Sequence, residues 1–114
     1  MRLTVKNPRN PSLQAVSDFL VDSGAHYTLI PYRIVEKLGL KPSYKQDFSL
    51  ADGKIMQRAI SSASIVFEGK ELAVPVVLGE KGDAALLGVT TLEGFGLMLD
   101  PFKRKLYHST LMLG

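Results

Sequence analysis

Apolar residues recur mostly at every second position, in short stretches that turn-forming residues separate at intervals of about eight to twelve positions. This spacing is typical of half-buried β-strands joined by tight turns, and it predicts an all-β barrel or sandwich. Helix is expected at only two places: Pro31 to Leu38, which Gly39 would end, and a single turn from Val89 to Glu93. A chain of 114 residues is long enough for one core, so we predict a single domain over residues 1–114.

The predicted strands pair as hairpins around short polar turns. Asp52-Gly53 is the strongest hairpin signal, because this dipeptide favours the two-residue turns whose twist matches that of the flanking strands. The second strand ends in the apolar run Phe19-Leu20-Val21, which we expect to be buried on both faces. The expected strands are 3–5, 13–21, 27–30, 48–51, 54–60, 63–67, 71–78, 84–87, 97–99 and 105–107.

Composition excludes several classes of function. The sequence has no cysteine, which excludes disulfides, thiol catalysis and thiolate metal sites and makes the cytoplasm the default location. It shows neither a secretory signal nor a run of about 20 apolar residues, so we expect no membrane association. The net charge of +3 is spread along the chain, and its single basic run, Lys103-Arg104-Lys105, is too small to predict a nucleic-acid partner. His26 and His108 lack partners at metal-ligand spacing, so we expect no metal and no other cofactor.

Asp22 is the residue that most needs an explanation. It follows three large apolar residues and precedes Ser23-Gly24, where the chain must turn sharply out of a buried strand. A carboxylate removed from water is destabilising unless it is neutralised, paired or hydrogen-bonded. Taken alone, Asp-Ser-Gly favours a structural interpretation, in which Asp22 caps a surface turn and Gly24 supplies a positive φ.

Two further features favour a catalytic interpretation. Apolar runs flank the turn on both sides, at 19–21 and 27–30, which puts it inside the domain. Leu86-Leu87-Gly88 follows later in the chain, beyond a block of hairpins. In these residues the sequence resembles the retroviral-type, or retropepsin-like, aspartic proteases. It is most similar to their small single-domain prokaryotic branch, where Leu-Leu-Gly precedes a short helix, here Thr91-Leu92-Glu93.

The resemblance implies a closed acid-protease barrel with one or two short helices, and an aspartic endopeptidase activity. Asp22 would be one half of a catalytic dyad. Two carboxyls about 3 Å apart cannot both ionise, so they share a proton and together activate water and polarise the peptide carbonyl. Ser23 would form a hydrogen bond across a dimer, Gly24 would direct an amide at the carboxylate, and Ala25 would be the small residue beside the dyad.

The resemblance also implies roles for two other segments. Leu86, Leu87 and Gly88 would form a strand that crosses the Asp22 loop, with Gly88 letting the two backbones approach closely. Asp52 and Gly53 would form the tip of a flap that closes over substrate. An ordinary surface hairpin explains Asp52 and Gly53 almost as well.

A homodimer follows from the resemblance, because the chemistry requires two carboxylates and the chain contains a single Asp-Ser-Gly. The substrate would be an extended peptide or an unfolded protein that adds a strand beneath the flap. The apolar tail Leu111-Met112-Leu113 would be covered by the termini of the second subunit.

The sequence departs from the retroviral pattern at residues that form ion pairs in retroviral dimers. His26-Tyr27 stands where acidic residues are usual, and Gly88 is followed by Val89-Thr90 where Arg and then Asp or Asn are usual. The alternative function is therefore a non-catalytic module of the same fold that binds peptides or takes part in assembly. We interpret His26 itself as a loop residue.

Overall fold

The structure of the chain, a computed structural model, describes residues 1–50, 52–100, 102–103 and 105–108. The apolar tail 111–113, Ala51 at the end of one expected strand, and Arg104 of the basic run lie outside the described residues. The described strands are β1 (Arg2–Asn7), β2 (Asn10–Asp18), β3 (Leu20–Val21), β4 (Thr28–Ile30), β5 (Tyr44–Ser49), β6 (Ile55–Phe67), β7 (Lys70–Leu78), β8 (Leu86–Leu87), β9 (Leu97–Asp100) and β10 (Lys105–His108). The described helices are α1 (Tyr32–Leu38) and α2 (Val89–Gly94).

Most of the strands form one sheet that curls on itself. Its order is β2-β1-β6-β7-β4-β8-β3, with β5 paired to β6 as a branch, while β9 and β10 form a separate antiparallel pair. The two ends of this order, β2 and β3, are consecutive in the chain and are joined through Phe19 alone. Because one residue connects opposite edges of the sheet, the sheet must curl until those edges approach each other. The Phe19 amide donates to the Met1 carbonyl and the Met1 ammonium donates to the Phe19 carbonyl, both at 2.7 Å, which fixes this corner.

The expected fold class is confirmed in its main features. The chain is mostly β with two short helices, as the period-two pattern and the Pro31 and Gly39 signals predicted. Gly39 ends α1 with a left-handed φ of 63°, and its amide donates to the carbonyl of Glu36. Closure of the curled sheet into a complete barrel stays a prediction. Within the described residues, no helix has the length and apolar character that a membrane span needs.

The main hydrophobic core joins the curled sheet to both helices. Helix α1 buries Ile34 and Leu38, which lie on one face because they are four positions apart. Helix α2 buries Leu92 in the same core, next to the strands that carry the buried residues Leu3, Val5, Ile65, Val76 and Leu87. The core therefore fixes β8 and α2 relative to the rest of the sheet.

β6 is one continuous strand of 13 residues, whereas the sequence pattern predicted two strands at 54–60 and 63–67. Ser61 and Ser62, which separated the two predicted strands, stay in the ladder opposite Val76 and Pro75 of β7. Ser61 can be buried there because its hydroxyl donates to the Lys41 carbonyl at 2.6 Å.

The length of β6 leaves a two-stranded arm at one end of the sheet. β6 pairs with β5 from Ile55 onward but with β7 only from Ala59 onward, where Ala59 lies opposite Leu78. We define the β5–β6 arm as β5, residues 55–58 of β6, and the turn at 52–54. Asp52-Gly53 forms the hairpin turn that the sequence predicted.

The prediction that the run Phe19-Leu20-Val21 is buried on both faces is wrong at Leu20. Phe19 is 2% exposed, whereas Leu20 is 68% exposed. Successive side chains of an extended segment point to opposite faces, so Leu20 faces away from the core that buries Phe19. The run therefore places a core residue directly beside a surface residue.

These neighbours give a matched test of the fold. We expect Phe19→Ala to lower the free energy of unfolding by about 3–5 kcal/mol, because it leaves a cavity at the joint between β2 and β3. The control Leu20→Ala should change it by less than about 0.5 kcal/mol. Urea unfolding followed by circular dichroism measures both values, and similar losses for the two variants would contradict this assignment of the core.

Candidate active site

The Asp22 loop leaves β3 in a tight, locally hydrogen-bonded turn. The Gly24 amide donates to Asp22 Oδ1 at 2.9 Å, and the Ala25 amide donates to the Asp22 carbonyl at 3.1 Å. The Asp22 residue is half-buried, while Ser23 and Gly24 are exposed. One of the expected features is therefore present, an amide directed at the carboxylate.

Gly24 does not have the positive φ that is expected of a glycine in a surface turn. A Cβ atom at this position would lie 3.2 Å from Asp22 Oδ1, which is closer than ordinary van der Waals contact. The glycine therefore makes room for the carboxylate that its own amide binds.

β8 holds the Asp22 loop from one side. β3 and β8 are parallel, with Leu20 opposite Leu86 and Val21 opposite Leu87. The Asp22 amide continues this ladder by donating to the Leu87 carbonyl at 3.0 Å. The structure therefore brings together the two motifs that the sequence separates, the Asp22 loop and Leu86-Leu87-Gly88.

Gly88 is the point of closest approach between these two segments. A Cβ atom on Gly88 would lie 2.4 Å from the carbonyl carbon and oxygen of Tyr27, which are backbone atoms and cannot rotate away. Just beyond Gly88, the Val89 amide donates to the Ala25 carbonyl at 2.9 Å and the Thr90 amide donates to the His26 carbonyl at 3.0 Å. The first amides of α2, which have no partner within a helix, thus bind the end of the Asp22 loop.

Two buried threonines complete this contact, and sequence reasoning missed both as site residues. Thr28 and Thr91 are fully buried, and their hydroxyl oxygens lie 2.7 Å apart. Thr28 Oγ1 also accepts a hydrogen bond from the Gly88 amide at 3.0 Å. The sequence places each threonine within an apolar segment, which indicates that each is buried. It does not indicate that the two hydroxyls form a hydrogen bond with each other.

Asp52 and Gly53 lie at the tip of the β5–β6 arm. Asp52 Oδ1 accepts a hydrogen bond from the Lys54 amide at 3.0 Å, and Gly53 has a φ of 85°. The Leu50 amide donates to the Lys54 carbonyl at 2.8 Å. In the part of the chain that the structure describes, no hydrogen bond joins Asp52 or Gly53 to the Asp22 loop. The structure therefore unites the Asp22 loop with β8 and leaves the arm tip apart from them.

The base of the arm carries the least exposed ion pair among the described residues. Arg58 Nε and Nη2 donate to the two carboxylate oxygens of Asp83, at 2.8 and 3.1 Å. Hydrogen bonding to Arg58 holds the pKa of Asp83 below its ordinary value, and the same bond raises the pKa of Arg58. Sequence reasoning missed this pair because nothing in the local pattern relates position 58 to position 83.

His26 follows the Asp22 loop and is exposed, with its ring 4.8 Å from the Tyr27 ring in an edge-to-face arrangement. Its backbone carbonyl is held by α2, which agrees with its interpretation as a loop residue. Among the described residues, no three His, Asp or Glu side chains are grouped so that they could hold a metal ion.

Comparison with protein families gives one decisive match. Residues 14–94 match the model of the family described as "gag-polyprotein putative aspartyl protease". This range contains the Asp22 loop, the arm, β8 and α2. The chain belongs to the retropepsin-like aspartic protease family.

Solved structures agree with this assignment at the level of the fold. The retropepsin-like chain is similar to the structure described as EIAV protease complexed with the inhibitor HBY-793, with a TM-score of 0.63 and 14% sequence identity. The similarity covers 99% of this chain and 90% of the EIAV chain. A search of curated proteins gave no match.

Gly88 offers the sharpest test of how the retropepsin-like site is built. We expect Gly88→Ala to lower the free energy of unfolding by more than about 3 kcal/mol, because the new Cβ atom meets rigid backbone of Tyr27. The control is Gly39→Ala, in which alanine must adopt a left-handed φ but its Cβ atom meets no atom within 4 Å. It should lower the free energy of unfolding by about 1–2 kcal/mol. Chemical denaturation compares the two variants, and an equal or smaller loss for Gly88→Ala would contradict the close approach.

The buried threonine pair can be tested separately. Thr28→Val should cost about 1–3 kcal/mol of stability, because it leaves the Gly88 amide and the Thr91 hydroxyl without their buried partner. Thr28→Ser keeps the hydroxyl and should recover part of this loss. Thr4→Val, at a half-buried position in β1, is the matched control and should change stability by less than about 0.5 kcal/mol. Wild-type thermal stability in Thr28→Val would show that the pair contributes nothing.

Proposed function

We propose that this chain is an aspartic endopeptidase that acts as a homodimer, with Asp22 of each subunit in a single shared site. The observation that carries the proposal is the Asp22 loop itself. The Asp22 residue is half-buried, and its carboxylate accepts a hydrogen bond from the Gly24 amide. β8 and α2 hold the loop backbone through three amide hydrogen bonds, donated by Asp22, Val89 and Thr90. Such a loop presents a carboxylate in a fixed orientation, which is what acid-base chemistry by a pair of carboxyls requires.

Membership of the family supports the dimer. The sequence contains one Asp-Ser-Gly, and two carboxyls are needed for the reaction. Ser23 is exposed on the loop, as a residue that forms hydrogen bonds with the second copy would be. Ala25 has a small side chain, as expected of the residue that would lie beside the two carboxyls.

The proposed reaction follows from two carboxyls that share one proton. The ionised carboxyl takes a proton from a water molecule, and the water oxygen attacks the peptide carbonyl carbon. The protonated carboxyl gives its proton to the carbonyl oxygen, which produces a neutral tetrahedral diol. The proton taken from water then passes to the amide nitrogen as the carbon–nitrogen bond breaks. One hydroxyl of the diol gives its proton to the other carboxyl as the carbon–oxygen double bond of the new acid forms. The products are a carboxylic acid and an amine, and the dyad again holds its single shared proton.

The proposed substrate is an extended peptide or an unfolded protein. An extended segment can add a strand between the β5–β6 arm and the floor formed by the Asp22 loops, where its alternate side chains would fill pockets. The arm would then act as the flap, and Gly53, with its positive φ, would allow its tip to move.

Replacement of Asp22 tests the proposal. Asp22→Asn keeps the shape of the side chain but cannot hold the shared proton in the same way, so we expect hydrolysis of an unfolded protein to fall by about 10²- to 10⁴-fold or more. Asp18→Asn is the matched control, because Asp18 lies four positions earlier and is exposed in an ion pair with Arg2. It should cleave at the wild-type rate.

Two outcomes of this experiment and one separate measurement would distinguish the alternatives. Cleavage by Asp22→Asn at the wild-type rate would refute the proposed role of Asp22. A folded wild-type protein that binds unfolded chains without cleaving them would instead favour the non-catalytic module. Sedimentation at several concentrations tests the dimer, and a protein that cleaves while remaining a monomer would refute the shared site.

A further inference from the structure

The β5–β6 arm makes few contacts outside its own ladder. Phe48 of β5 packs against Leu29, Ile60 and Val77, and Arg58 of β6 forms an ion pair with Asp83. Residues 55–58 of β6 pair with β5 and lie beyond the first β7 pair, Ala59 with Leu78. An isolated two-stranded ribbon is at best marginally stable in water. The orientation of the arm relative to the rest of the sheet therefore depends on such contacts near its base, where the third strand ends.

Arg58 stands at that base and makes a contact of fixed geometry. Its guanidinium binds both carboxylate oxygens of Asp83, at 2.8 and 3.1 Å, in the bidentate arrangement that gives planar, directional recognition. Its Nη1 donates to the Gln57 carbonyl at 2.9 Å and lies 3.3 Å from Glu80 Oε2. The Arg58 and Asp83 side chains are only 16% and 17% exposed, which makes this the least exposed ion pair among the described residues.

Asp83 connects this base to the segment that holds the Asp22 loop. It closes a turn with Glu80, whose amide donates to Asp83 Oδ2 at 2.8 Å. Two residues later the Ala85 carbonyl accepts the Leu20 amide at 3.0 Å, and the Leu87 carbonyl accepts the Asp22 amide at 3.0 Å. Arg58 and Asp83 therefore form a direct contact between the arm and the β7–β8 loop, which leads into the strand beside Asp22; this contact is separate from the ladder that runs through β7 and β4.

We propose that Arg58 and Asp83 are positioning residues that anchor the base of the β5–β6 arm to the β7–β8 loop and so hold the arm ready to close over substrate. The proposal rests on the proposed peptidase function. Neither residue acts on the reacting atoms. Their effect is that the arm is already ordered at its base when substrate arrives, so that less binding energy is used to order it.

Loss of this anchor has a specific kinetic signature. A chain whose arm is released binds substrate only through the fraction of molecules in which the arm is in place, and the apparent KM rises in proportion. The turnover number of the bound complex changes less, since the Asp22 loop keeps its own hydrogen bonds. A purely structural role gives the opposite result, because partial unfolding lowers the amount of active enzyme and leaves KM unchanged.

The first experiment measures hydrogen exchange in the wild type and in Asp83→Asn. The amides of residues 55–58 should exchange about tenfold faster or more in the variant, because local opening of the arm becomes easier, while those of 61–67 should stay within about twofold. Unchanged exchange at 55–58 in Asp83→Asn would overturn the proposal. This measurement needs no activity, so it tests the anchor even if the proposed peptidase function fails.

The second experiment measures peptide hydrolysis. Asp83→Asn and Arg58→Gln should each raise KM by about fivefold or more with a smaller change in kcat, and the double variant should be no worse than either single variant, because both remove the same contact. An unchanged KM, or additive effects in the double variant, would overturn the proposal. Absence of hydrolysis by the wild type would refute the peptidase function alone.

Two controls separate the anchor from charge and stability. Glu80→Gln removes a carboxylate in the same loop and near the same guanidinium. Because the Glu80 side chain is 65% exposed, this change should leave KM and exchange at 55–58 unchanged. Ile65→Val removes a methyl group from a fully buried position of β6 within the three-stranded part of the ladder. It lowers overall stability without touching the arm, so KM should again stay at the wild-type value. A rise in KM in either control equal to that of Asp83→Asn would overturn the specific role of the pair.

Discussion

The close approach of two backbones at Gly88 is the constraint on which the site depends. A Cβ atom there would lie 2.4 Å from Tyr27, so any residue but glycine would push β8 and the Asp22 loop apart. Because they can touch, the Leu87 carbonyl reaches the Asp22 amide, and α2 begins where its first amides meet the carbonyls of Ala25 and His26. The Thr28 hydroxyl then accepts the hydrogen bond of the buried Gly88 amide and forms a second hydrogen bond with the Thr91 hydroxyl.

This arrangement explains why a carboxylate can be kept in a fixed orientation by so small a chain. The loop backbone is held by hydrogen bonds to elements that are themselves fixed in the core, through Leu87 and Leu92. The Asp22 carboxylate needs only the Gly24 amide from its own loop. In the proposed mechanism, a second copy of the chain and the substrate would supply the other contacts of this carboxylate.

Sequence reasoning reached the features that have local signatures. The alternation of apolar residues predicted the strands, Gly39 predicted the end of α1, and the Asp22 and Gly88 motifs predicted a contact that the structure contains. It failed where register between distant strands decides the outcome. Leu20 is exposed because its side chain faces away from the core that buries Phe19, and Ser61 continues β6 because the Lys41 carbonyl accepts a hydrogen bond from its hydroxyl. The Thr28–Thr91 and Arg58–Asp83 contacts likewise join residues whose local patterns are independent of each other.

The central claim is that two copies of Asp22 form one site, and mixing subunits tests it most directly. Wild-type protein is mixed with an equal amount of folded Asp22→Asn protein, allowed to exchange subunits, and assayed against wild-type protein at the same total concentration. If each site needs Asp22 from both subunits, only the dimers of two wild-type chains are active, and activity falls to about one quarter. Activity of about one half would mean that each subunit works alone, and it would contradict the shared site.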